Sequence, residues 1–453
     1  MSHGTEANEP TQATEPTRTL EAAKAASAAE GHEATGANET IDAAEGPGTS
    51  EATDTAGAAD APTDTRVLVL GGGYAGVMAA NRLTRQPGVT VTLVNPRPDF
   101  VQRIRLHQLV AGTGEAVIPY REVLGERVDL VVGSADRIDA PERAVRLTDG
   151  TVLGYDHLVY AVGSGGAEPS VPGAAEHAHT VTGLEEARRL REALGAVPAG
   201  AGVTVVGGGA TGIETAAELA GTGRPVSLVC GPLLGPSLHP RTRRTVARRL
   251  ARLGVTVLAG PGARAAEVTA DSVRLDDGRV LPAAVTVWTA GFGVPDLAVR
   301  SGLRTDALGR LLTDETLTSV DDERIVAAGD SAAPSGIPFR MSCQAAVQLG
   351  PQAAETVLHR IAGTAPRNAE VGFLTLCVSL GRRAGILQLT ARDDSPRGLH
   401  VGGRTGALLK ELICSAVPRQ LSYEGRKPGA RDAWFKDPAR GELLAAGTGS
   451  GRE

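Results

Sequence analysis

Two glycine-rich turns in this 453-residue chain have the residue types and spacing to hold a phosphate group. Each turn follows a short apolar strand and opens a helix of small residues. The residues concerned are Gly71, Gly72, Gly73, Tyr74, Ala75 and Gly76 in the first turn and Gly207, Gly209 and Gly212 in the second. The first glycine allows a sharp bend, the second lets backbone amides approach a pyrophosphate, and the third lets helix and strand pack closely. Because a helix N-terminus adds unpaired amides and partial positive charge, the sequence predicts two dinucleotide-binding sites.

Each glycine turn is followed by a second strand, and the residue at the end of that strand is not the acidic residue that is usual there. An aspartate or glutamate about 20 residues after the glycines ordinarily binds the ribose of a dinucleotide. Here Asn95 stands 24 residues after Gly71, and Cys230 stands 23 residues after Gly207. Asparagine can still accept and donate hydrogen bonds. We therefore expect the first nucleotide to bind, with Asn95 as one of its contacts.

A second internal repeat follows the glycine turns. AVRLTDGTVLGYDHLVYAVG begins at Ala144, and SVRLDDGRVLPAAVTVWTAG begins at Ser272. Each predicts a hairpin through an Asp-Gly turn and then a buried strand. In the first copy Ala161 and Gly163 follow this strand, and we expect both to contact the cofactor. Two dinucleotide sites in one chain indicate hydride transfer between a nicotinamide and a flavin. The predicted fold class is α/β, with two Rossmann-like dinucleotide-binding domains.

Cys230 bears on the choice of nicotinamide nucleotide. A carboxylate at this place favours NADH, because it repels the 2′-phosphate of NADPH. The cysteine therefore predicts a relaxed preference or one towards NADPH. Arg241, Arg243 and Arg244 follow and could meet that phosphate, although a basic helix surface in solvent explains the same residues.

The chain resembles the flavoprotein superfamily of pyridine nucleotide-disulfide oxidoreductases. The likeness is carried by the glycine turns and by the segments YDHLVYAVGS, VTVWTAGF and RIVAAGDSA. It implies that an NAD(P)H domain is inserted into an FAD domain, and that Gly329 and Asp330 contact the ribityl and phosphate region of FAD. No cysteine lies in residues 77–120, so the redox cysteine pair of the disulfide-reductase branch is missing there.

A sharper likeness is to the type II NADH dehydrogenases, which pass electrons from NADH through FAD to a quinone. Their second flavin segment is similar to SCQAAVQLG here, which implies that Gln344 and Gln348 donate hydrogen bonds to a quinone carbonyl. By the same likeness Glu214, in TGIE, lies near the nicotinamide and flavin. The alternative is that Gln344 and Gln348 are solvated residues on one helix face. Glu214 could equally be placed in the first turn of its helix because of the helix dipole.

The segment DFVQRIRLHQLVAGT stands where that family has aromatic residues near the flavin. Here it is basic. Arg103 could stabilise the reduced flavin or a phosphate, and His107 could relay protons near neutral pH. The alternative is a helix with a solvated charged face.

Composition and the resemblance together divide the chain. Residues 1–64 contain 13 acidic and 2 basic residues, a charge of −11, whereas the whole chain carries −6, so the rest carries +5. Because the first segment has almost no large apolar residues, we expect a disordered acidic tail. The remaining predicted boundaries are 65–175 and 296–370 for the two parts of the FAD domain, 176–295 for the NAD(P)H domain and 371–453 for a C-terminal region.

These features predict an FAD-dependent oxidoreductase that takes hydride from NAD(P)H and passes electrons to a quinone or another small-molecule acceptor. Two alternatives stay open: a soluble reductase of a protein carrier or small molecule, and a redox-sensing flavoprotein with little turnover. The four cysteines are scattered, which argues against a disulfide framework or a metal site, and no motif indicates nucleic acid.

The sequence has neither a secretory signal nor an apolar run of about 18 residues, so we expect a cytoplasmic protein. The segment GALLKELICSAVPRQL predicts an amphipathic helix. It could lie on the inner face of the cell membrane, with Lys410 and Arg419 at the lipid surface. A core helix or a homodimer interface is the alternative.

Overall fold

The structure is a computed structural model that describes residues 64–430 and 435–449. The acidic tail predicted for residues 1–64 lies outside these residues, apart from Asp64. In chain order the strands are β1 (Thr65–Leu70), β2 (Val89–Asn95), β3 (Asp99–Val101), β4 (Val117–Pro119), β5 (Val128–Val132), β6 (Ala135–Asp139), β7 (Ala144–Leu147), β8 (Val152–Gly154), β9 (His157–Tyr160), β10 (Gly165–Gly166), β11 (Ala178–Thr180), β12 (Val203–Val206), β13 (Val226–Val229), β14 (Thr256–Leu258), β15 (Ala265–Val268), β16 (Ser272–Leu275), β17 (Val280–Pro282), β18 (Val285–Trp288), β19 (Phe292–Gly293), β20 (Leu311–Thr313), β21 (Ile325–Ala327), β22 (Ala332–Pro334), β23 (Thr375–Ser379), β24 (Gly385–Thr390) and β25 (Pro396–Gly402).

The α-helices lie between and after these strands. They are α1 (Tyr74–Leu83), α2 (Leu106–Ala111), α3 (Ala174–His177), α4 (Leu184–Ala196), α5 (Ala210–Gly221), α6 (Pro240–Arg252), α7 (Leu297–Arg300), α8 (Cys343–Ile361), α9 (Gly403–Arg426) and α10 (Arg440–Gly449).

The first glycine turn belongs to a five-stranded sheet with the strand order β21–β9–β1–β2–β5. All four pairings are parallel. Parallel strands are covered on both faces and so read as continuous apolar runs, and β1 is buried from Val67 to Leu70. Because α1 connects the paired strands β1 and β2, the glycine turn lies at the carboxyl edge of the central strand, where nucleotides bind in such sheets.

The second glycine turn belongs to a separate five-stranded parallel sheet, ordered β11–β18–β12–β13–β14. Its strands fall between residues 178 and 288, after β9 and before β21. The first sheet is therefore built from two stretches of chain that enclose the second. Two parallel sheets of this kind confirm the predicted fold class, while the residue limits of the domains stay a prediction.

Each large sheet is accompanied by the hairpin that the internal repeat predicts. β6, β7 and β8 form one antiparallel sheet, and β15, β16 and β17 form another. Gly150 and Gly278, the glycines of the two Asp-Gly turns, have φ of 89° and 86°. These left-handed values are the ones that a tight hairpin turn requires.

The C-terminal region contains an antiparallel sheet, β23–β24–β25, and the long helix α9. One stripe of α9 is buried, and its members are Gly406, Lys410, Cys414, Val417, Leu421 and Glu424. Leu408 and Leu412 project on the opposite side and are 60% and 54% exposed. The helix is amphipathic, as predicted. Among the described residues, no helix combines the length and the apolar character needed to cross a bilayer.

Helices α1 and α8 approach so closely that a glycine is needed between them. A Cβ atom on Gly350 would lie 2.3 Å from the carbonyl oxygen of Ala75. Every residue of α1 is buried. The helix that follows the first glycine turn is therefore held in place by α8, the helix that carries Gln344 and Gln348.

We expect Gly350→Ala to lower the free energy of unfolding by about 1–3 kcal/mol, because the added methyl group must push the two helices apart. Urea unfolding followed by circular dichroism measures the change. Gly195→Ala is the matched control, since a Cβ atom at this exposed position of α4 meets nothing within 4 Å. The control variant is expected to be as stable as the natural protein or more stable. Equal stability of all three proteins would contradict the role of Gly350.

Candidate functional site

The first glycine turn brings backbone so close to backbone that Gly71 and Gly76 have no room for side chains. Gly71 has a φ of 99°, which glycine adopts without strain. A Cβ atom on Gly71 would lie 2.3 Å from the carbonyl oxygen of Ala161, and one on Gly76 would lie 1.8 Å from the carbonyl oxygen of Gly71. The backbone thus approaches itself closely at both positions, which explains why each is glycine.

Gly73 differs, because a Cβ atom there would meet no atom within 4 Å. Gly73 is the N-cap of α1, so the first backbone amides of the helix border this open space. The side chains of Tyr74 and Ala75 are buried, with the Tyr74 ring edge-on to Phe100 at a centroid distance of 5.2 Å. An open cradle bordered by amides fits the pyrophosphate of FAD.

Asn95 ends β2 and holds the glycine turn from the side. Its Oδ1 accepts a hydrogen bond from the backbone N–H of Gly72 at 3.0 Å, and its Nδ2 donates to the carbonyl of Arg97 at 2.9 Å. The hydroxyl of Tyr120 donates to the carbonyl of Gly72 at 2.7 Å. A carboxylate could not reproduce this pattern, because it has no donor for Arg97. Contact between Asn95 and a ribose stays a prediction.

The second glycine turn repeats the geometry of the first at the carboxyl edge of β12. Gly207 has a φ of 129°, and a Cβ atom on Gly212 would lie 1.9 Å from the carbonyl oxygen of Gly207. Gly209 is the N-cap of α5, and a Cβ atom there would meet nothing within 4 Å. The chain therefore presents a second open cradle, which fits the pyrophosphate of NAD(P)H.

Cys230 follows β13 and packs beneath this second turn. Burial raises the pKa of its thiol to about 12, so the side chain is neutral where an acid is usual. Arg243 donates to the carbonyl of Leu238 at 2.9 Å, whereas Arg241 and Arg244 are exposed on α6. Recognition of a 2′-phosphate by these arginines stays a prediction. Arg241 and Arg244 are the two whose guanidinium groups are exposed and could bind it.

Two predicted cofactor residues are joined through a serine that the sequence did not single out. Asp330 accepts a hydrogen bond from the Ser164 hydroxyl at 2.7 Å on Oδ2 and one from the backbone N–H of Ser342 at 3.0 Å on Oδ1. The guanidinium of Arg103 donates to the same Ser164 hydroxyl at 3.0 Å. Gly329, with a φ of 76°, makes the turn that brings Asp330 to Ser164.

The chain just before this serine supplies the last two predicted contacts. Ala161 is buried against Gly71. Gly163 has a φ of 72°, and a Cβ atom there would meet nothing within 4 Å. A ligand can therefore approach the backbone closely at Gly163, which is consistent with the predicted contact.

Gln344 and Gln348 lie one turn apart on α8, as predicted, but their amides are already engaged. The Nε2 of Gln348 donates to the carbonyl of Gly372 at 3.2 Å. In its hydrogen-bonded orientation, the Gln344 amide pairs with the N–H of Leu374 and the carbonyl of Thr375, both at 3.1 Å. Both glutamines hold the chain that leads into β23. Their contact with an electron acceptor stays a prediction and would require these bonds to be exchanged.

Glu214 lies one turn into α5, where helices α2 and α9 meet it. Its Oε1 accepts hydrogen bonds from the Lys410 ammonium group and, at 2.9 Å, from the backbone N–H of Ser379. Its Oε2 lies 3.8 Å from Nδ1 of His107. The three side chains are only 4–12% exposed. The fold thus assembles a buried cluster of proton-carrying groups around Glu214.

Burial shapes the proton affinities in this cluster. It lowers the pKa of His107 well below the usual range, and the nearby positive charges of Lys410, Arg382 and Arg105 lower it further. His107 is therefore neutral at pH 7. Burial also lowers the pKa of Lys410, to about 8, while its contact with Glu214 favours the charged ammonium form.

The prediction that Lys410 lies at a lipid surface is wrong, because its ammonium group is buried against Glu214. The sequence does contain a signal for this. Gly406, Lys410, Cys414 and Val417 are spaced by four, four and three positions, which places them on one stripe of a helix. A lysine within a stripe of small and apolar residues indicates a buried charge that needs a partner.

Comparison with known proteins supports the class of protein that this geometry defines. Residues 65–354 match the family model of the pyridine nucleotide-disulphide oxidoreductases, and the chain belongs to this family. It is therefore an oxidoreductase, and the predicted cofactors, FAD and NAD(P)H, are those of the family.

Two relatives show which members of the family the chain is similar to. An NADH dehydrogenase-like protein of Mycobacterium tuberculosis is 34% identical over 294 residues, which cover 59% of this chain and 73% of the relative. A type II NADH:quinone oxidoreductase of Staphylococcus saprophyticus is 26% identical over 390 residues, covering 77% and 94%. The resemblance to type II NADH dehydrogenases is thereby confirmed.

Solved structures show the same fold with different acceptors in their names. A sulfide:quinone oxidoreductase from Aquifex aeolicus superimposes with a TM-score of 0.68 at 19% identity, over 81% of this chain and 93% of that one. A ferredoxin reductase from Rhodopseudomonas palustris gives 0.61 at 25% identity, over 72% and 83%. The fold therefore leaves the acceptor open.

We expect Gly209→Ala to keep the stability of the protein but to weaken NAD(P)H binding at least tenfold. The methyl group meets no protein atom, yet it occupies the space in front of the helix amides. Titration of the oxidised protein with NAD⁺ and NADP⁺, which occupy the same cradle and cannot reduce the flavin, measures the dissociation constant. Gly221→Ala, at the other end of α5 and equally unobstructed, is the control that should bind normally. Normal binding by Gly209→Ala would contradict the second cradle.

We expect His107→Asn to reduce the sensitivity of the fold to acid. Since the pKa of His107 is lower in the folded chain than the unfolded value of about 6.5, the unfolded chain takes up an extra proton as the pH falls below that value. The natural protein then loses up to about 1.4 kcal/mol of stability per pH unit, which the variant does not. Urea unfolding at pH 7 and pH 5 measures the difference, and a constant difference between the two proteins would contradict the expectation.

Proposed function

We propose that the protein transfers hydride from NAD(P)H to FAD and passes two electrons to a quinone-type acceptor. The observation that carries the proposal is the pair of open cradles at Gly73 and Gly209, each at a helix N-terminus and at the carboxyl edge of its own sheet. Bound FAD supplies a ring that accepts hydride and then releases electrons to the acceptor. A quinone acceptor is supported by the names of the type II relatives.

The overall reaction takes up one proton, because NAD(P)H, a proton and a quinone give NAD(P)⁺ and a hydroquinone. The cluster of Glu214, Lys410 and His107 is suited to hold that proton. Lys410 borders a cavity open to solvent, whereas Glu214 reaches inward to His107. Since burial lowers the pKa of Lys410, this side chain gives up its proton more readily than an exposed lysine. We assign proton delivery to Lys410 and Glu214.

The Arg103–Ser164–Asp330 chain of hydrogen bonds is suited to orient polar groups of FAD. Asp330 is fixed on both oxygens, so its remaining lone pairs point in set directions towards hydroxyl donors. Arg103 keeps donors beyond the one it gives to Ser164 and adds positive charge, which offsets the negative charge of phosphate or of reduced flavin.

The nucleotide preference and the place of action follow as secondary proposals. A neutral Cys230 removes the discrimination against NADPH, so we propose that both nucleotides serve. The exposed Leu408 and Leu412 on α9, with Ile413 at 38% exposure, support peripheral contact with the inner face of the cell membrane. A homodimer is the other use of this face.

A protein carrier is the second candidate acceptor, favoured by the structural likeness to a ferredoxin reductase. This alternative predicts fast reduction of a carrier and no advantage for lipophilic quinones. Steady-state rates with NADH and NADPH across quinones and a ferredoxin distinguish the two candidates.

We expect Glu214→Gln to slow oxidation of the reduced flavin by a quinone at least tenfold, because the proton path loses its carboxylate. Stopped-flow absorbance at the flavin band separates this step from reduction by NAD(P)H. Glu218→Gln is the matched control, since this buried glutamate of α5 bonds to Thr113 rather than to Lys410. An unchanged rate of oxidation in Glu214→Gln would remove the assignment.

A second control is needed to separate a loss of stability from a loss of proton transfer. Glu214→Gln leaves the buried Lys410 ammonium without its counter-charge, which destabilises the fold. The double variant with Lys410→Met removes both charges and is expected to recover the stability but not the rate of oxidation. Recovery of both would show that the pair acts only in stability.

A further inference from the structure

A cavity of about 300 Å³ opens beside Lys410, between α9 and the turn that joins β23 to β24. Its wall combines charged and apolar groups. The members that matter here are Arg382, Arg383, Arg404, Lys410, Ala407 and Leu408. None of them belongs to the two glycine cradles, and the reaction described above uses only Lys410.

The charge of this cavity is strongly unbalanced. Four cationic side chains line it, of which Lys410 is already paired with Glu214, and Glu411 is the single carboxylate among the described residues of the lining. Glu411 is already held by two hydrogen bonds from Arg105, at 2.6 and 3.2 Å, and lies 4.0 Å from Arg382. Within the described part of the chain, Arg383 and Arg404 pair with no carboxylate. The cavity therefore offers free guanidinium groups to an anion.

A neighbouring cavity extends the positive field. It has a volume of about 240 Å³ and shares Ala384 with the first cavity. Arg248, Arg249 and Arg252 of α6 line it, and none of the described residues in its wall is acidic. Charges of one sign around a concave surface attract an oppositely charged small molecule and raise its local concentration.

The same wall also carries apolar surface. Ala407 lies beside the arginines, and Leu408 is 60% exposed at the rim. A purely polar ion would leave this surface in water. A ligand with an apolar ring and an anionic substituent uses both parts of the wall, since the ring covers Ala407 and Leu408 while the anion meets the guanidinium groups.

We propose that this cavity receives the anionic substituent of the electron acceptor, so that quinones bearing a carboxylate or a sulfonate are preferred over neutral ones. The proposal rests on the quinone-type reaction proposed above, and its stoichiometry is the same. One NAD(P)H and one proton reduce one quinone to its hydroquinone, and the substituent keeps its charge throughout.

The test compares 1,4-naphthoquinone-2-sulfonate, whose sulfonate stays ionised in both the quinone and the hydroquinone, with the neutral 2-methyl-1,4-naphthoquinone. We expect the holoenzyme variant Arg383→Gln/Arg404→Gln to lower the ratio of kcat/KM for the anionic over the neutral quinone at least fivefold. The flavin reduction rate with NADH should not change. Arg367→Gln/Arg397→Gln is the matched control. Its two substitutions remove the same charge, and these arginines are exposed and line neither cavity.

The outcomes separate the two proposals. A ratio that stays the same in the cavity variant overturns the inference, while turnover of the neutral quinone keeps the proposed reaction. If neither quinone reoxidises the reduced flavin of the natural protein, the proposed reaction itself fails. If phosphatidylglycerol vesicles slow both quinones equally, and do so only when the cavity arginines are present, the arginines bind a lipid headgroup and the inference is overturned.

Discussion

The ion pair between Glu214 and Lys410 is the contact on which the arrangement of the site depends. Two charges that are almost entirely removed from water stabilise a fold only while they face each other, and either one alone would cost several kcal/mol. Helix α9 must therefore dock against α5 in one register. That register also places Cys414 and Val417 in the interior and turns Leu408 and Leu412 outward.

The parts of the site that could be predicted from sequence are those that neighbouring residues determine. The spacing of Gly71, Gly73 and Gly76 specifies a turn in which Gly76 meets the carbonyl of Gly71 within the same strand–turn–helix unit. Gly71 meets Ala161 just after the adjacent strand β9. The Asp-Gly hairpins are equally local. Such features are readable because the atoms that constrain each residue lie only a few positions away in the chain, or on the adjacent strand.

The parts that could not be predicted depend on distant contacts. Lys410 meets a carboxylate 196 positions earlier, and Ser164 joins residues that lie 61 positions before and 166 positions after it. The glutamines of α8 show the same limit. Their position on one helix face could be predicted from their spacing. The hydrogen bond from the Gln348 amide to the Gly372 carbonyl could not, because only the completed fold brings Gly372 to this helix.

The topology also constrains the order in which the protein can form. The first sheet needs β21, yet this strand leaves the ribosome about 165 residues after β9, the strand it must pair with. All strands of the second sheet emerge in between. During synthesis the second sheet can thus close while β9 still has one unpaired edge, and an unpaired edge is a template for association with other chains. Completion of the first sheet is therefore a late event in biogenesis, and the open edge of β9 can associate with other chains in the interval before β21 arrives.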